Sequence, residues 1–509
     1  MKKLTLFLLI LCSITAFGQN WKKEISAIHE ASNVPGFAVA IVKDGQVVHA
    51  EGYGVKELGE KDKVDANTLF AIASNTKAFI ATSLGTLVDQ GKIDWKDKVV
   101  DYLPYFELYD NYATQEATIE DLLCHRLGLG TFSGDVIWYK SELTAEETVK
   151  RAKYVPQAYG FRDGYGYSNL MFITAGEVIK AVTGLEWHEY AKQQFFGPLG
   201  MSRTITTTND LDNMGNYAMP HKAVRDENIL VDWVNWDNMG AAGGIISSVS
   251  DMSQWMIAQM SNGVSAEDGI LDPSTQSLIW TPHNNFVTSR PREYEQVDSD
   301  YRGYGLGWGI ADYQGNKIIS HGGGYDGMYS RVMMVPEQGL GVVVLTNGMR
   351  GISNYITDFV MKTYMHEGFS RSDMAAIENY IKANAMYDRV DDLKAKRVMD
   401  TKPSMPNAGY VGTFYTPMYG DIIIKETSNG LRLEFEHAPL LGANLKHWHF
   451  DTFEIDWDVP HAWFDWGTVQ FQFDQARNIT GISIDVPNND IFFDELKLEK
   501  VERSVGQNR

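Results

Sequence analysis

The chain has 509 residues, 44% of them hydrophobic and 12% aromatic, which is apolar enough for more than one globular domain and too apolar for a mainly disordered chain. Acidic residues outnumber basic ones by 66 to 45, and the resulting net charge of −21 repels a phosphate backbone, so nucleic acid is set aside as a partner. Two cysteines, Cys12 and Cys124, are too few for a disulfide framework or a zinc cluster built on several thiolates.

Lys2 and Lys3 precede an apolar run over residues 4–14, and Ala16 and Gly18 follow in the −3, −1 arrangement that a signal peptidase accepts. Residues 1–18 are therefore expected to be a secretory signal, with the mature protein periplasmic or secreted from a bacterial cell. The run is about half of the roughly 20 residues that span a bilayer, so no permanent membrane span is expected. Residues 37–42 and 47–50, joined by Lys43-Asp44-Gly45-Gln46, read as a β-hairpin. Residues 75–90 carry Phe79, Ile80, Leu84, Leu87 and Val88 at helical spacing and stop at Gly91. Residues 317–320, 330–335 and 341–346 read as consecutive strands. Strands at both ends of one region, with helices between, predict an α/β or α+β domain whose terminal strands share a sheet.

Residues 366–405 are expected to form a helical linker, because they are charged and helix-prone until Pro403 and Pro406 interrupt them. From 406 to 503 the pattern changes to a period of two: Leu431, Leu433 and Phe435 alternate with Arg432, Glu434 and Glu436, and Val469, Phe471 and Phe473 repeat it. A β-barrel or sandwich is expected there, centred on Trp448, Trp457, Trp463 and Trp466.

Several motifs fail on context. The run from Gly322 to Gly327 fits G-x-G-x-x-G, but a strand follows it where a dinucleotide site needs a helix. Neither H-E-x-x-H nor G-x-S-x-G occurs. Ser74-Asn75-Thr76-Lys77 survives, because it opens an apolar helix and so puts an amine one turn from a hydroxyl, near a helix N-terminus that favours an oxyanion. A serine hydroxyl needs a neighbouring base, and lysine serves when burial lowers its pKa. A helix cap and a solvated charge are the plainer alternatives for these two residues. Tyr167-Ser168-Asn169 projects a phenol and an amide from a Gly- and Tyr-rich loop. His321 stands on a strand beside Gly322, Gly323 and Gly324, whose lack of side chains lets a substrate backbone approach.

Ser74-x-x-Lys77, Tyr167-x-Asn169 and His321-Gly322-Gly323, in that order, resemble the penicillin-recognising serine hydrolases, in particular the class C β-lactamase-like group with its esterases, D-aminopeptidases and D,D-peptidases. The resemblance covers roughly residues 21–363. Residues 122–129, 197–201, 242–244 and 304–309 are similar to further family segments. It implies a β-lactamase-like transpeptidase fold over residues 19–365, with an antiparallel sheet flanked by helices, no metal or organic cofactor, and a small-molecule or peptide substrate. Ser74 is then the acyl-forming nucleophile, Lys77 its base or proton relay, and Tyr167 a partner in proton traffic. Asn169 binds a substrate carbonyl and positions Lys77. His321, Gly322 and Gly323 form the substrate strand, and the backbone N–H groups of Ser74 and Gly324 form the oxyanion hole. The β segment is similar to the lipocalin-like barrel appended to some of these hydrolases.

Two departures matter. Where β-lactamases usually carry Lys-Thr-Gly this chain has His321-Gly322-Gly323, which replaces a fixed cation by a titratable one and removes a hydroxyl that binds carboxylates. That looks more like the esterase and aminopeptidase branches, and activity is expected to fall as the imidazole is protonated. Cys124 stands where many relatives have threonine and is expected to be a buried small hydrophobe. The expected function is a secreted serine hydrolase cleaving an amide or ester through a Ser74 acyl-enzyme. A catalytically idle protein that recognises cell-wall peptides is the alternative from another class, and a β-lactamase the alternative among enzymes. The oligomeric state is left open.

Overall fold

The computed structural model describes residues 23–261, 270–287, 301–365 and 385–502. The expected secretory signal lies outside the described residues, as does the stretch 366–384 of the expected linker.

Strands β1 (Gly36–Lys43) and β2 (Gln46–Gly54) form the expected hairpin. Asp44 and Gly45 between them have φ of 51° and 75°, the pair of left-handed residues that a type I′ turn requires. With β3 (Asn284–Asn285), β4 (Arg302–Tyr304), β5 (Gly309–Tyr313), β6 (Asn316–Tyr325), β7 (Met328–Val335) and β8 (Leu340–Thr346) they make an eight-stranded sheet in the order β2-β1-β8-β7-β6-β5-β4-β3. Neighbouring strands run antiparallel, and Phe37 opposite Thr346 through Lys43 opposite Leu340 joins the two ends of the domain. Sheet and helices thus form the β-lactamase-like α+β arrangement expected from the sequence.

Alternation along β1 and β8 explains the layers. Ala38, Ala40, Val343 and Leu345 face a large core shared with helices α1 (Thr76–Asp89), α2 (Asn169–Thr183) and α3 (Val249–Ser261). Phe37, Val39, Val342 and Val344 face the opposite layer, built by helix α4 (Ile352–Tyr364) and by Ile25 and Ile28. Helix α1 is buried on every side from Thr76 to Leu87, so the single apolar face expected from the sequence understates it. Its polar residues tolerate this because Thr82, Ser83 and Thr86 return their hydroxyls to helix carbonyls at 2.7–2.8 Å.

Helix α5 (Ala385–Ala395) opens the described part of the expected helical linker, but residues 396–405 are turns and irregular chain. Eight strands follow, β9 (Gly412–Thr416), β10 (Gly420–Thr427), β11 (Gly430–Phe435), β12 (Ala443–His449), β13 (Thr452–Trp457), β14 (Thr468–Phe473), β15 (Ile479–Asp485) and β16 (Leu498–Val501). They close into a barrel by pairing β16 with β9. Its interior is filled by aliphatic and phenyl groups such as Phe414, Ile424, Leu433, Phe453 and Phe471. Of the four tryptophans expected there, Trp457 packs with Phe464 and Phe493 against the core, and the other three are elsewhere. Trp448 and Trp466 pack with Val390 and Leu393 of α5, and Trp463 reaches the neighbouring domain. With the interior already filled by these groups, the large apolar area of the other indoles serves as the joint between layers.

Candidate active site

Ser74 lies in a 3-10 turn, Ala73–Asn75, that runs directly into α1. Ala73 just before it has φ of 47°, a left-handed conformation costly for a residue with a Cβ, and the surroundings hold it there. Asn75 donates to the Ser330 hydroxyl at 2.8 Å, and Ser330 donates to the Ile72 carbonyl at 2.7 Å, tying the turn to β7. A Cβ on Gly323 would stand 2.3 Å from the Ile72 oxygen and 3.1 Å from Ala73. That glycine is therefore required by packing behind Ser74, whereas Gly322 and Gly324 line the cleft.

Lys77 is completely buried and donates to three acceptors: Ser74 Oγ at 3.1 Å, Asn169 Oδ1 at 2.7 Å and the Ala242 carbonyl at 2.7 Å. Burial lowers its pKa to about 7, against an opposing pull from Asp135. The Tyr167 ring lies 4.8 Å from the ammonium and the Phe172 ring 5.3 Å. The Tyr167 hydroxyl is buried without a partner of hydrogen-bonding geometry, and burial pushes its pKa well above the ordinary value while Ser74 pulls it back.

Asn169 opens α2, and its amide is oriented by unambiguous partners. Its oxygen accepts from Lys77, and its nitrogen donates to Asp135 Oδ2 at 2.7 Å. Asp135 also accepts from Trp138 Nε1 at 2.8 Å. Burial raises the pKa of this carboxyl, and its two N–H donors oppose the rise. Asp135 carries no signal of its own in the sequence, because a lone acidic residue after a Ser-Gly pair looks like any turn.

The Tyr-rich loop is fastened from below. Arg162 donates to Asp121 Oδ2 at 2.6 Å, and Asp121 also receives Arg126. His125 accepts the Ser168 backbone N–H at 3.0 Å and stacks its ring 4.3 Å from that of Tyr167, so it fixes the phenol from behind. His125 and Cys124 belong to a segment noted in the sequence, but only the structure gives His125 a place. Cys124 is buried as expected, and burial pushes its thiol up to about 12.

His321 on β6 behaves differently from the expectation of a titratable cation. Its Nδ1 lies 2.6 Å from the Gly322 carbonyl, which can only accept, so Nδ1 carries the proton and Nε2 accepts from the Tyr304 hydroxyl at 2.8 Å. Burial first, and then the nearby Lys77 ammonium, depress its pKa to about 3. The imidazole is therefore neutral at every physiological pH, with both nitrogens engaged by this chain.

Ser74, Tyr167, Asn169, His321, Gly322 and Gly324 open on one cleft of about 290 Å³, together with Asp135. The other wall comes from the barrel: Trp463, Asp490 and Ile491 line the same space. A Cβ on Gly324 would meet the Trp463 ring at 3.0 Å. Burial alone raises the Asp490 carboxyl to about 6.

The fold and this convergence can be set beside known proteins. The beta-lactamase family model matches residues 21–360. The chain belongs to the beta-lactamase family. A further domain family, DUF3471, a domain of unknown function, matches residues 396–500. This beta-lactamase-family chain is 27% identical over 489 residues to the unguisins hydrolase ungD of Aspergillus violaceofuscus, which covers 86% of this chain and 83% of that protein. The octameric penicillin-binding protein homologue from Pyrococcus abyssi shares its fold, with a TM-score of 0.61 and 18% identity over 95% of this chain and 99% of that one. The D-amino acid amidase from Ochrobactrum anthropi SV3, complexed with L-phenylalanine amide, has a TM-score of 0.56 and 22% identity over 68% and 99%. The protein is thus a member of the penicillin-recognising serine hydrolase superfamily.

One expected result follows from His321. Because its pKa lies near 3, the acidic limb of a pH–rate profile should stay in place when His321→Gln is introduced, with a change in rate alone. A limb displaced by one unit or more in that variant would show that the imidazole titrates in the working range.

Proposed function

We propose that this protein is a secreted or periplasmic serine hydrolase that cleaves an amide or activated ester through a Ser74 acyl-enzyme. The observation that carries the reading is the buried Lys77 amine in hydrogen-bonding contact with the Ser74 hydroxyl, its pKa lowered to about 7. A neutral amine there takes the hydroxyl proton as Ser74 attacks a carbonyl carbon. The Ser74 and Gly324 N–H groups receive the developing oxyanion. Tyr167, with its pKa raised, acts as proton donor to the leaving group rather than as first base. The acyl group then passes to water. The basic, apolar and small residues of the first eighteen positions support export.

The finer choice is an amide or ester of an amine-bearing acid, as in an aminopeptidase or amidase. Asp135 and Asp490 face the cleft among Phe132, Trp138, Trp236 and Trp463, a lining that suits a cation and opposes a carboxylate. His321-Gly322-Gly323 also lacks the cation and hydroxyl with which a β-lactamase strand holds a carboxylate. The hydrolase name of the Aspergillus violaceofuscus relative agrees with hydrolysis.

The test is a panel of D- and L-alanine p-nitroanilide, p-nitrophenyl acetate, a chromogenic cephalosporin and a D-Ala-D-Ala peptide. An alanine anilide or the neutral ester is expected to turn over, with a time-dependent mass increase on the intact protein, and the two carboxylate-bearing substrates much less. In Asp490→Asn the anilide should lose roughly tenfold in kcat/KM relative to the ester. Binding without any mass change or turnover would favour the idle recognition protein instead.

A further inference from the structure

The barrel touches the catalytic machinery at a second place that the proposed reaction does not use. The 3-10 turn Phe493–Glu495, next to the Asp490 and Ile491 wall, points one carboxylate across the joint between the domains. Glu495 Oε1 accepts the Ser133 hydroxyl, and Oε2 accepts the Gly134 backbone N–H at 2.7 Å. Both donors belong to the turn immediately before Asp135. Gly134 has φ of 82°, and a Cβ there would meet Leu170 and Val155 at 2.7 Å, so this backbone is pressed against the first turn of α2 while the carboxylate holds it from the other side. The chain of contacts runs without a gap from Glu495 to Gly134, to Asp135, to Asn169, to Lys77 and to Ser74.

We infer that Glu495 of the barrel is a positioning residue for the catalytic amine, holding the Ser133-Gly134 turn so that Asp135 stays on Asn169 and Asn169 on Lys77. The barrel is then a working part of the active site, not an appended module. The inference rests on the proposed role of Lys77 only for its effect on rate, since its effect on geometry is independent of turnover.

The direction of the effect follows from the groups around Lys77. Asp135 is the carboxyl whose charge opposes the lowering of its pKa, and Asp490 of the barrel in turn raises the pKa of Asp135. His321 from β6 and His125 from the adjoining loop are both held neutral, and Tyr167 is held as the phenol, so none of them compensates for a withdrawn carboxylate. Around Glu495 itself the facing groups are Ser133, Gly134 N–H and the neighbouring Asp494. If the turn relaxes, Asp135 draws away from Asn169 and its upward pull on the Lys77 pKa weakens, so that Lys77 titrates at lower pH.

The experiment uses the full chain. Glu495→Ala should lower kcat on p-nitrophenyl acetate by roughly 10- to 100-fold with KM within about twofold, as a displacement of order 1 Å does. The acidic limb should move down by about half a pH unit or more. Glu495→Gln should recover most of both, because its oxygen still accepts from Gly134 while the Ser133 hydroxyl rotates to accept from the amide. A second readout does not need turnover: in protein labelled with carbon-13 lysine, the Cε resonance of Lys77 should titrate at lower pH in Glu495→Ala than in the wild type. Where that variant does not fold, Ser133→Ala decides, with a smaller shift in the same direction. A Lys77 titration that stays put or moves upward overturns the inference, as does a loss in kcat that Glu495→Gln does not restore. A wild type that turns over nothing while the Lys77 shift appears as described overturns the proposed hydrolysis and leaves this inference standing.

Discussion

Ser74→Ala is expected to bring turnover of p-nitrophenyl acetate down to the uncatalysed background, a loss of about 10⁵-fold or more, and to abolish the acyl mass increase. The Oγ is the hydroxyl that Lys77 touches in the cleft, and among the described residues no other hydroxyl accepts from Lys77 there. The fold should be nearly unaffected. Ser74 is half-buried and tied into the structure by its neighbours, with Asn75 held by Ser330, and Thr76 accepting from the Ile245 N–H at 3.1 Å. Lys77 keeps two of its three acceptors. A melting temperature within a few degrees of the wild type, together with lost labelling, is the expected pair of results. Full labelling of the variant by an acylating probe would remove the mechanism.

The parts of this site that the sequence disclosed share one property: each is a local pattern. Ser74-x-x-Lys77 could be read because two residues three apart on a helix must lie on one face, and His321-Gly322-Gly323-Gly324 because glycines beside an imidazole are unusual on a strand. The terminal strands were legible for the same reason, since β1 and β8 are apolar along almost their whole length and only a central, doubly covered position accommodates that. Asp135 and Glu495 were not legible. Their meaning depends on contacts across 34 residues to Asn169 and across 361 residues to Gly134, and neither stands in a pattern of its own. The neutrality of His321 is hidden from the sequence for the same reason. An imidazole looks titratable in a sequence, and only its enclosure by Tyr304, Gly322 and Lys77 shows that it is not. Period-two alternation identifies the barrel, whereas Trp448, Trp463 and Trp466 lie away from its centre, because aromatic bulk in a sequence does not say which surface it covers.

Lys77→Met is expected to cost about 10³-fold or more in kcat/KM, since it removes the general base while filling the same volume with an apolar chain. The wild-type profile supplies the control. A base must be neutral to act, so with a pKa near 7 the rate should climb with pH up to about that value and level off above it, falling tenfold per unit on the acid side. In Lys77→Met the residual rate should lose that limb. Asp135→Asn separates the amine from its surroundings: burial still lowers the Lys77 pKa, but the carboxylate that opposes burial is gone, so the limb should move to lower pH while the base itself remains. The amide of this variant has one oxygen where the carboxyl has two, so it keeps the bond from Asn169 or the one from Trp138 and sets its NH2 against the other donor, and a melting temperature measured beside the profile separates that structural cost from the change in charge. A limb that persists in Lys77→Met would assign the titration to another group, and a limb that moves upward in Asp135→Asn would mean that Asp135 acts on Lys77 by excluding water and not by its charge.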